Sequence, residues 1–176
     1  MYMDWSVVKY FNESEFHGDA DNLDVNIIYT LDYLRGKLKE PIHVSNVKGA
    51  VARYGGSKTS QHYVGLNQEE IVRKSTAVDV FIEGIPFLNV IGIIKAELFT
   101  GIGIYVNTTG MDGEPWLMFH LDQRKDRSVT DPLVWVANKV YDSTKKKWVT
   151  KYHYPQRDAS LWSLLQKPIF FKEREM

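Results

Sequence analysis

Ala77-Val78-Asp79-Val80-Phe81-Ile82 is the stretch that decides how the rest of the chain is read. Rich in β-branched and aromatic residues and closed by Gly84, it reads as a strand. Alternation puts Val78, Val80 and Ile82 on one face and Ala77, Asp79 and Phe81 on the other. A carboxylate on a covered sheet face is costly unless a cation or hydrogen-bond donors meet it. Asp79 is therefore either tied to a neighbouring loop or an arginine, or it belongs to a polar site.

Two further segments bear on that choice. Ser60-Gln61-His62-Tyr63-Val64-Gly65 lies just before the strand, after a loop marked by Gly49, Gly55 and Gly56. Trp116-Leu117-Met118-Phe119-His120-Leu121-Asp122 reads as another apolar strand, in which His120 and Asp122, two apart, share a face. Two His and one Asp with an open fourth position make a workable ligand set for catalytic zinc. The competing reading leaves Asp122 merely orienting His120 or pairing with Arg124.

Outward from these segments, Leu23, Ile27, Ile28, Leu31, Leu34 and Leu38 recur at helical spacing, with Asp21 or Asn22 as cap and Pro41 blocking continuation. Ile42-His43-Val44 reads as a short strand. Residues 67–74 suit a short surface helix or an ordered excursion. Pro86 opens a helix to about Phe99, and residues 102–106 form a strand. Residues 133–141 and 148–154 read as a hairpin, and residues 161–165 as a short helix. Helices and strands do not alternate regularly, which indicates an α+β class.

With 176 residues, 44% of them hydrophobic, the chain holds one good core, so a single domain over 1–176 is expected. Its 22 basic residues balance its 22 acidic ones, so no field gathers nucleic acid. Cysteine is absent, and any metal site must use His and carboxylates. Met1-Tyr2-Met3-Asp4-Trp5 does not open like a signal peptide, so export would need another protein. The most apolar run, residues 85–94, is too short to span a membrane.

Taken in order, Ser60-x-His62-x-x-Gly65, Ala77-Val78-Asp79, Gly101-Ile102-Gly103-Ile104-Tyr105 and Phe119-His120-Leu121-Asp122 resemble the signature of the zinc D-Ala-D-Ala carboxypeptidases and phage endolysin peptidases. Upstream, Phe11, Glu15-Phe16, Leu31-Asp32-x-Leu34-Arg35 and Pro41-Ile42-x-Val44-Ser45 are also similar. The likeness covers a core of about 5–125, leaving about 130–176 as a C-terminal hairpin extension. It implies the Hedgehog/D,D-peptidase type of fold, an antiparallel sheet flanked by helices, with Zn2+ on His62, Asp79 and His120. It also implies a peptidoglycan peptide stem or cross-bridge as substrate, and Ser60, Arg53 and Tyr105 as substrate-binding positions. A phage protein of this kind works from the host cytoplasm by release to the wall, or as a virion-associated protein among virion partners.

The chain departs from the family pattern in three places. Residues 66–76 read as an insertion between the His and Asp segments. Lys48 stands where many members have arginine, keeping the charge that steadies a substrate carboxylate but losing the planar fork. Leu117 stands where the usual general base is Glu or Asp. Asp122 is then the first candidate for that role, with Glu114 and Glu83 behind it. A non-catalytic virion, tail or wall-binding protein on the same fold is the competing reading.

Overall fold

The computed structural model describes residues 3–67, 70–84, 87–97, 99–110, 113 and 115–154. The expected helix at 161–165, Pro86 and Glu114 lie outside them.

Ile42–Val44 (β1), Ala77–Ile82 (β5), Gly101–Thr109 (β6), Pro115–Asp122 (β7), Leu133–Asp142 (β8) and Lys147–His153 (β9) form a six-stranded sheet in the order β1-β5-β7-β6-β8-β9. Every neighbouring pair is antiparallel except β6 and β8. Arg53–Tyr54 (β2), Tyr63–Asn67 (β3) and Glu70–Arg73 (β4) make a second sheet of three strands. With the helices Val25–Leu38 (α1) and Phe87–Glu97 (α2), the architecture is mixed α+β with a largely antiparallel sheet. Among the described residues, no helix is long and apolar enough to cross a membrane.

The alternation read in β5 sorts its two faces. Val78, Val80 and Ile82 join Ile27, Ile28, Leu31 and Leu34 of α1, Val90 and Ile94 of α2, and Ile102, Ile104, Phe119, Leu121 and Val136 in one buried cluster. Burying each such side chain contributes about 1.5–3 kcal/mol, so this face anchors the fold and leaves the opposite face for polar groups.

Helix α1 begins later than its apolar spacing suggests. Residues Ala20–Asn22 make a 3-10 turn, Asn22 and Asp24 bond the backbone of Ser75, and Asp24, not Asp21 or Asn22, caps the helix through the amide of Asn26. Backbone pairing with Ser75 holds Leu23 and Asp24 in extended form, which periodicity alone does not reveal. Residues 67–74 also differ from the helix suggested for them. Gly65 pairs with Arg73, Leu66 with Ile71 and Asn67 with Glu70, an antiparallel arrangement suited to the β-branched Ile71 and Val72. The hairpin at 133–153 belongs to the main sheet, because β8 lies parallel to β6 from Gly101↔Leu133 to Val106↔Asn138. Strand periodicity carries no information about which strand a segment pairs with.

Asp32 explains a polar residue in the middle of α1. Its buried carboxylate accepts the backbone amides of Lys9, Tyr10 and Phe11 at 2.6–3.1 Å, clamping the N-terminal segment to the helix. Arg35, one turn on, binds Glu15 at 2.8 Å, the carbonyls of Tyr10 and Ile42, and lies over the Phe11 ring. Asp32→Ala strips three amides of their acceptor and is expected to lower stability by about 3 kcal/mol, read as a shift in the urea midpoint. An unchanged midpoint would remove the clamp from the account.

Candidate metal centre

Antiparallel register brings the site together. Asp79 in β5 stands directly opposite His120 in β7. Both backbone groups of Asp79 are taken by the loop after β1: Ser45 donates to its carbonyl, and its amide donates to Ala50, each at 2.9 Å. His62 arrives from the glycine-rich loop, held by Arg53 N–H to its carbonyl at 2.7 Å and by Thr76 N–H to the carbonyl of Gln61 at 2.8 Å. The Ser60 hydroxyl accepts the His62 amide at 3.3 Å, a short turn that sets the direction of the imidazole.

The three side chains meet atom to atom. His62 Nε2 lies 3.2 Å from Asp79 Oδ1 and 3.0 Å from His120 Nδ1, and His120 Nδ1 lies 3.0 Å from Asp79 Oδ1. Among the described residues they form a group that could hold a metal ion. A tetrahedral ion at 2.0–2.1 Å from its ligands separates them by roughly 3.3 Å, close to this triangle. Side-chain exposures of 5%, 15% and 10% for His62, Asp79 and His120 leave a narrow opening to solvent.

Tautomer chemistry strengthens the fit. His120 Nε2 lies 3.0 Å from Asp122 Oδ2, and Asp122 is fully buried and also gripped by the guanidinium of Arg124. A neutral His120 that donates from Nε2 turns an Nδ1 lone pair toward Asp79 and His62, as a metal ligand must. Asp122 therefore touches the ring nitrogen on the side away from the cluster. That placement suits orienting His120 and does not suit taking a proton beside the ion.

Two glycines make this possible. A Cβ at Gly101 would sit 2.1 Å from Asp122 Oδ1, and one at Gly103 would sit 2.5 Å from the indole of Trp135. Without those side chains, Trp135 lies across β6 with its ring 5.2 Å from that of His120, and Arg124 lies 5.1 Å from the same indole. Trp135 was not singled out in the sequence; the absent side chain at Gly103 was the available signal, and it did not name the residue that fills the gap.

The other sequence candidates fall around this centre. Tyr105 shares the face of Gly103, and its hydroxyl bonds Trp135 and Tyr152. Burial, the neighbouring Tyr152 and the charge of Asp79 all raise its pKa. Lys48 and Arg53 are exposed on the loop that joins Asp79 to His62 through Ala50 and Arg53 backbone bonds. Leu117 is buried in the opposite core, and Glu83 lies beside His43 at 3.5 Å, away from the cluster. The 66–76 segment is bound to the His62 loop through Arg73, which donates to the carbonyls of Lys58 at 2.7 Å and Ser60 at 3.2 Å.

Burial tends to raise the Asp79 carboxyl, but the hydrogen bonds and charges of His120 and His62 hold it below the usual carboxylate range. For His120 burial favours the neutral ring, yet Asp122 and Asp79 prevail and push its pKa up to about 9. With no metal bound, a folded-state value above the ordinary 6.5 stabilises the fold below pH 6.5, and this contribution is lost as pH rises through about 9. Zinc needs the Nδ1 lone pair, so its uptake at pH 7 is expected to expel a proton and to tighten with rising pH. Titration calorimetry in buffers of differing ionisation enthalpy reads that proton; no buffer dependence would contradict it.

Fold and site together define an α+β domain with a His-Asp-His group suited to a metal ion. No family model matches the chain, and neither a curated protein nor a solved structure matches it.

Proposed function

We propose that the chain is a zinc peptidase that cleaves an amide bond in the peptide part of bacterial peptidoglycan, on the Hedgehog/D,D-peptidase type of fold. The observation that carries the reading is the triangle of His62 Nε2, Asp79 Oδ1 and His120 Nδ1, with Asp122 fixing the tautomer behind it. Its three members are those that the likeness to D-Ala-D-Ala carboxypeptidases and endolysin peptidases singles out. Phage lysis or penetration of the wall is the setting that this likeness implies.

Zinc, when bound there, polarises an amide carbonyl and lowers the pKa of water. The chain's own residues do the rest. Asp122 and Arg124 hold His120 in one tautomer and one orientation. Trp135 walls one side of the imidazole, and the Tyr105 hydroxyl, bonded to Trp135 and Tyr152, steadies that wall on the same face. Lys48 and Arg53 are exposed cations on the loop whose backbone bonds Asp79 and His62, and a peptide carboxylate would be met there.

One observation favours the second reading, a non-catalytic virion or wall-binding protein on this fold. Among the described residues, Asp79 and Asp122 are the carboxylates bonded to the cluster, and both are committed to histidines. Digestion of purified sacculi with zinc-loaded protein separates the two. Released peptides, identified by mass, are expected; intact sacculi of several wall chemistries with a loaded site would leave the structural reading.

A further inference from the structure

The face of the sheet that carries the metal centre continues well beyond it. Directly opposed residues of neighbouring strands share a face, so His120, Gly103 and Trp135 form one row, and Tyr105, Ala137 and Tyr152 the next. Lys139 with Thr150, then Tyr141 with Trp148, complete the series along β8 and β9. Six residue steps of strand lead from Trp135 to Tyr141, a span of about 20 Å. Tyr152, Tyr141 and Trp148 are 52%, 54% and 67% exposed. The Tyr141 and Trp148 rings meet at 5.7 Å and 69°, which fixes them while leaving most of the indole in water. The opposite face of the same hairpin pairs Val140 with Val149 and Asn138 with Lys151, so the aromatic rings are sorted to one side.

Cross-strand pairing of Tyr141 and Trp148 accounts for hairpin stability but not for this one-sided track leading to the centre. A pyranose ring presents an apolar C–H face that stacks on an aromatic ring while its hydroxyls stay wet, which is the chemistry that exposed Trp and Tyr provide. A membrane-seeking surface would add exposed aliphatic side chains, whereas Ala137 and Met118 in these rows are buried, and a chain of zero net charge has no field to gather nucleic acid. The lysine-rich tip at 145–147 and Lys139 complement the carboxylates of wall peptides.

We propose that the β8–β9 face binds the glycan strand of peptidoglycan, with Trp148 and Tyr141 as stacking platform and the attached peptide led past Tyr152 to the metal centre. This rests on the peptidase reading for its substrate, but its test does not need activity.

Tryptophan fluorescence titration with chitooligosaccharides, and co-sedimentation with glycan strands stripped of peptide, measure binding directly. Wild-type protein is expected to bind both. Trp148→Ala with Tyr141→Ala should weaken binding by roughly tenfold or more. Its zinc content and circular dichroism should stay unchanged, and Trp148→Phe should keep much of the affinity. His120→Ala should lose zinc and retain glycan binding, which separates failure of this proposal from failure of the peptidase reading. Wild-type protein that ignores both glycans overturns the proposal. So does a double variant that binds them as before, or one whose altered property is self-association, or DNA or vesicle binding, in place of glycan binding.

Discussion

His120→Ala is expected to abolish metal binding and peptidoglycan cleavage together. The substitution removes one corner of the triangle and also leaves Asp122 without its imidazole partner. Two remaining ligands do not make a three-ligand catalytic site, so the Lewis acid and the activated water are lost in one step. Zinc content per chain and the yield of released peptides should both fall to background. Stability should fall too, because a buried carboxylate loses one of its two partners. Retained zinc in this variant would move the centre elsewhere.

Asp122→Asn has the second largest expected effect, and its sign distinguishes two roles. Asparagine keeps the shape but no longer neutralises Arg124 or fixes the His120 tautomer by charge. For a positioning residue the outcome is zinc affinity weakened by about 10- to 100-fold, with activity restored by added zinc. Loss of the buried ion pair should also cost about 3 kcal/mol of stability. A proton-accepting role would instead show as a rate loss of about 10²-fold with zinc retained. Asp122 lies at Nε2, away from the cluster, which favours the first outcome.

The α+β class was legible from local rules, and the meeting of His62, Asp79 and His120 from local rules joined to the likeness to the zinc peptidases. Strand alternation put Asp79 on the face opposite Val78 and Val80, and the two-residue spacing put His120 beside Asp122. Bringing them together also required β5 and β7 to be neighbours with Asp79 opposite His120, which alternation does not encode and the family likeness implied. What stayed hidden depends on distant partners. Trp135 reaches His120 through the parallel β6–β8 pairing, which no periodicity encodes. Residues 67–74 have acidic and polar residues that suit a helix start, and the pairing of β4 with β3 outweighs that local preference. Asp32 looked like part of a motif and proved to be an anchor for three amides of the N-terminal segment.

The central claim is that these three residues hold one catalytic zinc. Metal analysis of the purified protein, followed by X-ray absorption at the zinc edge, tests it most directly. One zinc per chain is expected, with two nitrogen ligands and a carboxylate oxygen at about 2.0–2.2 Å and a further light atom completing the shell. Loss of the signal in His62→Ala and Asp79→Ala should follow. A protein that takes up no zinc from excess at pH 8, with its fold intact, would contradict the account.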